Sequence, residues 1–104
     1  MLVTNQRYGA GDIVTFKLVN GDEVIGRIIE DTETAFVVAS PCTVVPSQQG
    51  LELIQSLFSA ETDVKVNLSK SHVMMSAESL AQMRSHYIKT TTGIDTVTKP
   101  GIII

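Results

Sequence analysis

The chain has 104 residues, a length for one domain whose core buries roughly 65% of the surface exposed on unfolding. Hydrophobic residues at 43% and charged residues at 18% exclude a disordered chain, while aromatics at 5%, with no Trp, furnish a base-stacking platform thinly. Eight Lys and Arg against eleven Asp and Glu leave a net charge of −3, which argues against a strongly electrostatic nucleic-acid binder.

Residues 1–11 contain no convincing helix, and Gly9 and Gly11 loosen the entry to the first element. From Asp12 to Val19 the chain alternates, with Val14, Phe16 and Leu18 facing one way and Ile13, Thr15 and Lys17 the other. That period of two marks a half-buried strand. Asn20-Gly21 follows, a pair suited to the positive φ angles of a type I′ hairpin turn, and Glu23 to Glu30 is the returning strand. Gly26 sits in the middle of it, where glycine serves a bend, a bulge or a close backbone approach. Small curled barrels need such a point.

Asp31-Thr32-Glu33 makes the next turn, and Thr34 to Ala39 forms a third strand that Pro41 is expected to stop. Cys42 to Val45 reads as a short extended piece ended by Pro46, and Ser47 to Gly50 as a loop tip. Leu51 to Phe58 fits a helix by one spacing and a strand by another, and an extended hairpin arm is favoured because short stretches between turns are more often strands. Glu61-Thr62-Asp63 is a polar turn. Val64, Val66 and Leu68 line one face of a further strand, Ser69 to Ser71 connects tightly, and His72 to Met75 is a very short strand. The one clear helix, about 77–89, has Ser76 or Ser79 as its cap, the second with capping-box spacing to Gln82. Leu80, Met83, Tyr87 and Ile88 would line its buried face, and Thr90-Thr91-Thr92 with Gly93 would end it. The tail, 90–104, closes with Ile102-Ile103-Ile104, a stretch expected to pack on the barrel or on a neighbouring chain. No linker or internal repeat divides the barrel, about 12–76, from the helix and tail.

Catalytic chemistry finds little footing. His72 and His86 lack metal-type partners at i+3 or i+4, and Cys42 has no Cys-x-x-Cys companion. A Cys–His dyad assembled by folding competes with the plainer reading of Cys42 as a buried structural thiol. Glu30, Asp31 and Glu33 form an acidic turn tip whose plain reading is solvation and whose alternative is a cation site. Neither a phosphate-cradling glycine loop nor a nucleophile elbow is present. The expectation is a protein that is not an enzyme and carries no cofactor. Cys42 as the lone cysteine excludes an intrachain disulfide and fits a reducing cytoplasm. No apolar run approaches the ~18 residues of a membrane span, and no signal peptide is evident.

The pattern Val14-x-Phe16-x-Leu18, Gly21, Gly26-x-Ile28 resembles the first motif of the Sm/LSm family, over residues 11–39, with a second, shorter motif falling in Val64 to Met75. The layout, with an enlarged connection after the third strand and a helix near the end, is closest to Sm-like proteins of tailed phages. An unrelated SH3-like barrel is the competing reading. The resemblance implies a mainly β fold, a small, strongly bent, antiparallel five-stranded barrel with an extended hairpin and a C-terminal helix. It also implies a homo-oligomeric ring in which the fourth strand of one copy pairs with the fifth of the next, placing Val64, Val66, Leu68, Val73 and Met75 at the interface. The ligand it implies is single-stranded RNA near the pore, held weakly by Lys70, His72 and Phe36, beside pore-lining Asp31 and Glu33. The family's base-contacting Asn is missing, since Ala35 or Phe36 stands there, and its Arg-Gly is matched loosely by Ser69-Lys70-Ser71-His72. The rival function is a structural or adaptor module without nucleic acid. The acidic turn favours that rival, because carboxylates at a pore repel phosphate.

Overall fold

Alternating β-branched and aromatic residues build the first strand, β1 (Ile13–Leu18), and a hairpin returns the chain as β2 (Glu23–Asp31). The computed structural model describes residues 8–61 and 65–92. The hairpin is as expected, but its turn is not type I′. Gly21 alone takes a positive φ, +96°, and Leu18 C=O accepts from Gly21 N–H at 2.9 Å while Leu18 N–H donates to Asp22 C=O at 2.9 Å. The loop is therefore three residues, Val19-Asn20-Gly21. Asn20 spends its side-chain oxygen on Asp22 N–H at 3.0 Å, and the glycine absorbs the reversal. Nothing lies within 4 Å of where a Gly21 Cβ would stand, so the cost of a side chain there is purely one of backbone strain. Gly21→Val is expected to lower stability by about 1 kcal/mol or more, read as a drop in melting temperature.

The third strand, β3 (Ala35–Ser47), runs through Pro41 rather than stopping at it. The reason lies across the ladder. Ile25 pairs with Cys42 and Arg27 with Ala39, so Ser40 and Pro41 together oppose the single Gly26. A bulge of this kind leaves a position unpaired, and the proline's missing N–H costs no rung there. Ser40 takes φ +52° at the same point. The kink also turns the strand over: Val38 lies opposite Ile28, whereas Cys42 lies opposite Ile25, on the other face. Pro46 sits beyond the last β2 rung at Val44, where β4 (Gly50–Gln55) is the remaining neighbour. The stretch from Leu51 is thus strand, an extended hairpin arm.

β5 (Val66–Ser69) pairs with the first half of β3, and a 3-10 turn (Lys70–His72) leads into β6 (Val73–Glu78), which pairs with β1. The expected piece from His72 is therefore a later and longer strand. Together the strands make an antiparallel six-stranded sheet in the order β4-β3-β2-β1-β6, with β5 also on β3. β5 and β6 do not pair, so the sheet remains open, and it has six strands where five are expected. Val64 and Ile102 to Ile104 lie outside the described residues, as do Thr62 and Asp63 of the expected turn and Gly93.

Two apolar clusters occupy the two faces of the sheet. The first gathers Val14, Phe16, Ile28, Phe36 and Val38, with Leu18, Val66, Leu68 and Val73 packed at its margin. The second gathers Ile13, Ile25, Cys42 and Tyr87, with Val44, Leu53 and Met83 beside it. Tyr87 belongs to α1 (Ala81–Thr92), which starts and ends later than the sequence spacing suggests. Ser76 lies in β6, and the Ser79 hydroxyl shares a 2.7 Å hydrogen bond with Thr15 Oγ1. The helix runs through the closing threonines instead of ending before them, and Thr91 Oγ1 donates to Tyr87 C=O at 2.8 Å and Thr92 Oγ1 to Ile88 C=O at 2.6 Å. Leu80 and Ile88, 72% and 42% exposed, are not on the buried face.

Candidate functional site

The turn after β2 and the turn after β5 meet at one end of the sheet. Pairing of Ala35 with Ser69 brings them together, and Lys70 N–H donates to Thr34 C=O at 2.9 Å. Residues 39 apart thereby become neighbours: Lys70 Nζ donates to Asp31 Oδ1 at 2.5 Å. The Asp31 side chain is 5% exposed and that of Lys70 32% exposed. Asp31 Oδ2 accepts from the Tyr8 N–H at 3.1 Å, so both carboxylate oxygens are engaged. Partly open to water, the ion pair contributes only ~0–1 kcal/mol to stability. Its larger effect is on charge, since the carboxylate neutralises the Lys70 ammonium.

Lys70 Nζ also stands 4.7 Å from the centroid of the Phe36 ring. Phe36 is itself a core residue, 7% exposed, with Phe16 at 4.9 Å and Tyr8 at 6.0 Å between ring centroids. Its ring is covered and gives a base no open face on which to stack. Glu33 and His72 are exposed, and the His72 Nδ1 lies 3.3 Å from Ser71 Oγ. The structure therefore joins Asp31, Lys70 and Phe36 in one contact set and leaves Glu33 and His72 on the surface around it. Tyr8 is the member of this cluster that sequence reasoning missed. It supplies the N–H for Asp31, and its hydroxyl lies 2.9 Å from Ser76 Oγ, tying the entry segment to β6. A lone aromatic in an otherwise polar stretch was the available signal.

Of the interface candidates, Val66, Leu68 and Val73 are half-buried against the first cluster, and Met75 is 63% exposed on β6. Met74 is the extra residue of a bulge, because Lys17 pairs with Met75 and Leu18 with Val73.

The other chemically reactive groups are shielded. Burial pushes the Cys42 thiol up to about 11. Burial also pushes the Tyr87 hydroxyl up to about 12, with the neighbouring Cys42 adding to it and Arg27 and Ser40 opposing it. A thiol so placed holds little of the thiolate that nucleophilic chemistry requires. Among the described residues no three His, Cys, Asp or Glu side chains come together to hold a metal ion, and no helix is long and apolar enough to cross a membrane. Comparison with known protein families finds no match, and comparison with curated proteins finds none.

Proposed function

We propose that this chain is an Sm-like, non-enzymatic module that assembles with copies of itself into a ring. The observation that carries the reading is the open sheet. β5 and β6 are consecutive in the chain, separated by three residues, yet each pairs on one side only among the described residues. Unpaired strand edges recruit other strands, and a head-to-tail contact between β5 of one copy and β6 of the next hides both at once while closing a ring. An apolar cleft of about 280 Å³, lined by Leu18, Val24, Val38, Leu57, Val66 and Leu68, lies where the sheet is open. A neighbouring copy at the β5 edge would cover it.

A ring repeats the Asp31–Lys70 pair once per copy. On this reading single-stranded RNA binds weakly and with strong salt sensitivity, because Lys70 is already neutralised and Glu33 adds negative charge. The same pair favours the second reading, a structural or adaptor ring without nucleic acid.

Light scattering at micromolar concentration tests assembly. The wild type is expected at a multiple of the 11.3 kDa chain mass, and Val66→Pro, which removes a ladder donor from β5, is expected as monomer or unfolded chain. A monomeric wild type overturns the ring, as does an intact oligomer of Val66→Pro. For RNA, Asp31→Asn with Glu33→Gln is expected to strengthen binding of a mixed-sequence single strand by roughly fivefold, and Lys70→Ala to abolish it. Tight, sequence-selective binding by the wild type at physiological salt overturns the weak-binder reading. Absence of binding in every variant selects the adaptor.

A further inference from the structure

The residues unused by the assembly reading lie beneath α1. That helix is fixed at its start, where Ser79 N–H donates to Ile13 C=O at 3.0 Å and the Ser79 hydroxyl meets Thr15. Beyond this anchor Tyr87 is the one buried residue of the helix, and Met83 is the half-buried residue that packs beside it on the second cluster. The Tyr87 hydroxyl donates to Ala39 C=O at 2.7 Å, in the strand that carries Cys42. Leu80 and Ile88, the remaining large apolar residues of this segment, face solvent. Twelve residues ending in three threonines make a helix that is marginal on its own in water. Its order depends on one aromatic anchor.

The sheet does not share that dependence. The ladders joining β1 to β2 and to β6, and the cluster of Val14, Phe16, Ile28, Phe36 and Val38, are formed without any residue of α1. Opening the helix removes few contacts, whereas opening the sheet removes nearly all of them. Segments attached by few buried contacts open at a free energy well below that of global unfolding.

We propose that α1 is a latch that opens as a unit about Ser79, leaves the sheet intact and uncovers Cys42 together with Ile13 and Ile25. The closed latch walls a cleft of about 460 Å³ in which Thr90 and Thr91 face Pro41, Cys42 and Leu53. Opening merges that cleft with the apolar surface under Tyr87, so the device converts a covered face into an accessible one without unfolding the sheet.

Cys42 is the one cysteine of the chain and reports the opening directly. Alkylation of the full chain by iodoacetamide, followed by mass spectrometry across urea concentrations below the unfolding transition, is the test. The wild type is expected to label at least about tenfold faster than its global unfolding equilibrium permits, with little dependence on urea, because a single opening helix exposes little surface. Tyr87→Phe keeps the ring and loses the bond to Ala39, and labelling is expected to rise about fivefold. Arg84→Pro breaks the helix at an exposed position and should bring labelling close to that of a free thiol while the sheet still unfolds cooperatively. Labelling of the wild type that tracks global unfolding at every urea concentration overturns the latch. So does an Arg84→Pro chain whose sheet is lost, since the sheet would then depend on the helix.

Discussion

Replacement of Phe16 by alanine lowers the stability by about 3–5 kcal/mol, the largest loss expected of any single side chain here. Phe16 is fully buried, with its ring centroid 4.9 Å from that of Phe36 at a tilt of 46°. Truncation removes the transfer energy of the ring, a tilted aromatic contact and the filling of a space that Val14, Ile28 and Val38 also line. Those neighbours are β-branched except for the second ring, and all lie on laddered strands, so the cavity cannot collapse cheaply. Urea unfolding followed by circular dichroism measures it. A loss below about 2 kcal/mol would show that the inner cluster is loosely packed. The effect also reaches the candidate site, because Phe36 supports Lys70 from beneath at 4.7 Å. Phe16→Ala should therefore loosen the Asp31–Lys70 pair without touching either charge.

The first hairpin is legible because period-two alternation and Asn20-Gly21 act locally, within the reach of a few residues. Gly26 is legible for the same reason, as a small residue in a strand of Val and Ile. Pro41 misleads because its cost depends on what stands opposite. A missing N–H ends a strand only where a rung is due, and here the bulge against Gly26 leaves none due. The second cluster is hidden by that kink. Val38 and Cys42, four residues apart, share a face in a regular strand, and the reversal at Ser40 separates them. Spacing alone puts Leu80 and Ile88 on the helix's buried face. The face that docks is set instead by where β6 ends and by the Ser79 bonds to β1, which no periodicity within the helix records. The meeting of Asp31 with Lys70 is expected from the family resemblance and not from spacing, since a separation of 39 residues carries no signal about proximity. Tyr8 joins the site through its backbone N–H, a group every residue but proline has.

Gly26→Val is expected to destabilise by about 2–3 kcal/mol, and Gly26→Ala by about half as much. A Cβ built at Gly26 would stand 3.3 Å from the Cβ of Val38, tighter than ordinary van der Waals separation, and at an ordinary 3.5 Å from one of its methyls. Whether that contact is costly depends on whether Val38 can yield. Val38 is 1% exposed, branched at the contacting atom and held in the ladder opposite Ile28, so its Cβ moves only if the strand moves with it. Were it able to yield, Gly26→Ala would instead stabilise by about 0.4–1 kcal/mol, through the smaller entropy of the unfolded chain. The sign of the alanine variant thus separates close approach from a merely tolerant position. A double-mutant cycle locates the cause. Val38→Ala alone opens a cavity and costs about 2 kcal/mol, but it also clears the space that a Gly26 side chain needs. The pair Gly26→Ala with Val38→Ala is therefore expected to lose about 1 kcal/mol less than the sum of its parts. Additive losses would show that Val38 is not what a Gly26 side chain meets, since the ordinary φ of Gly26 leaves close approach as the reason for a glycine there.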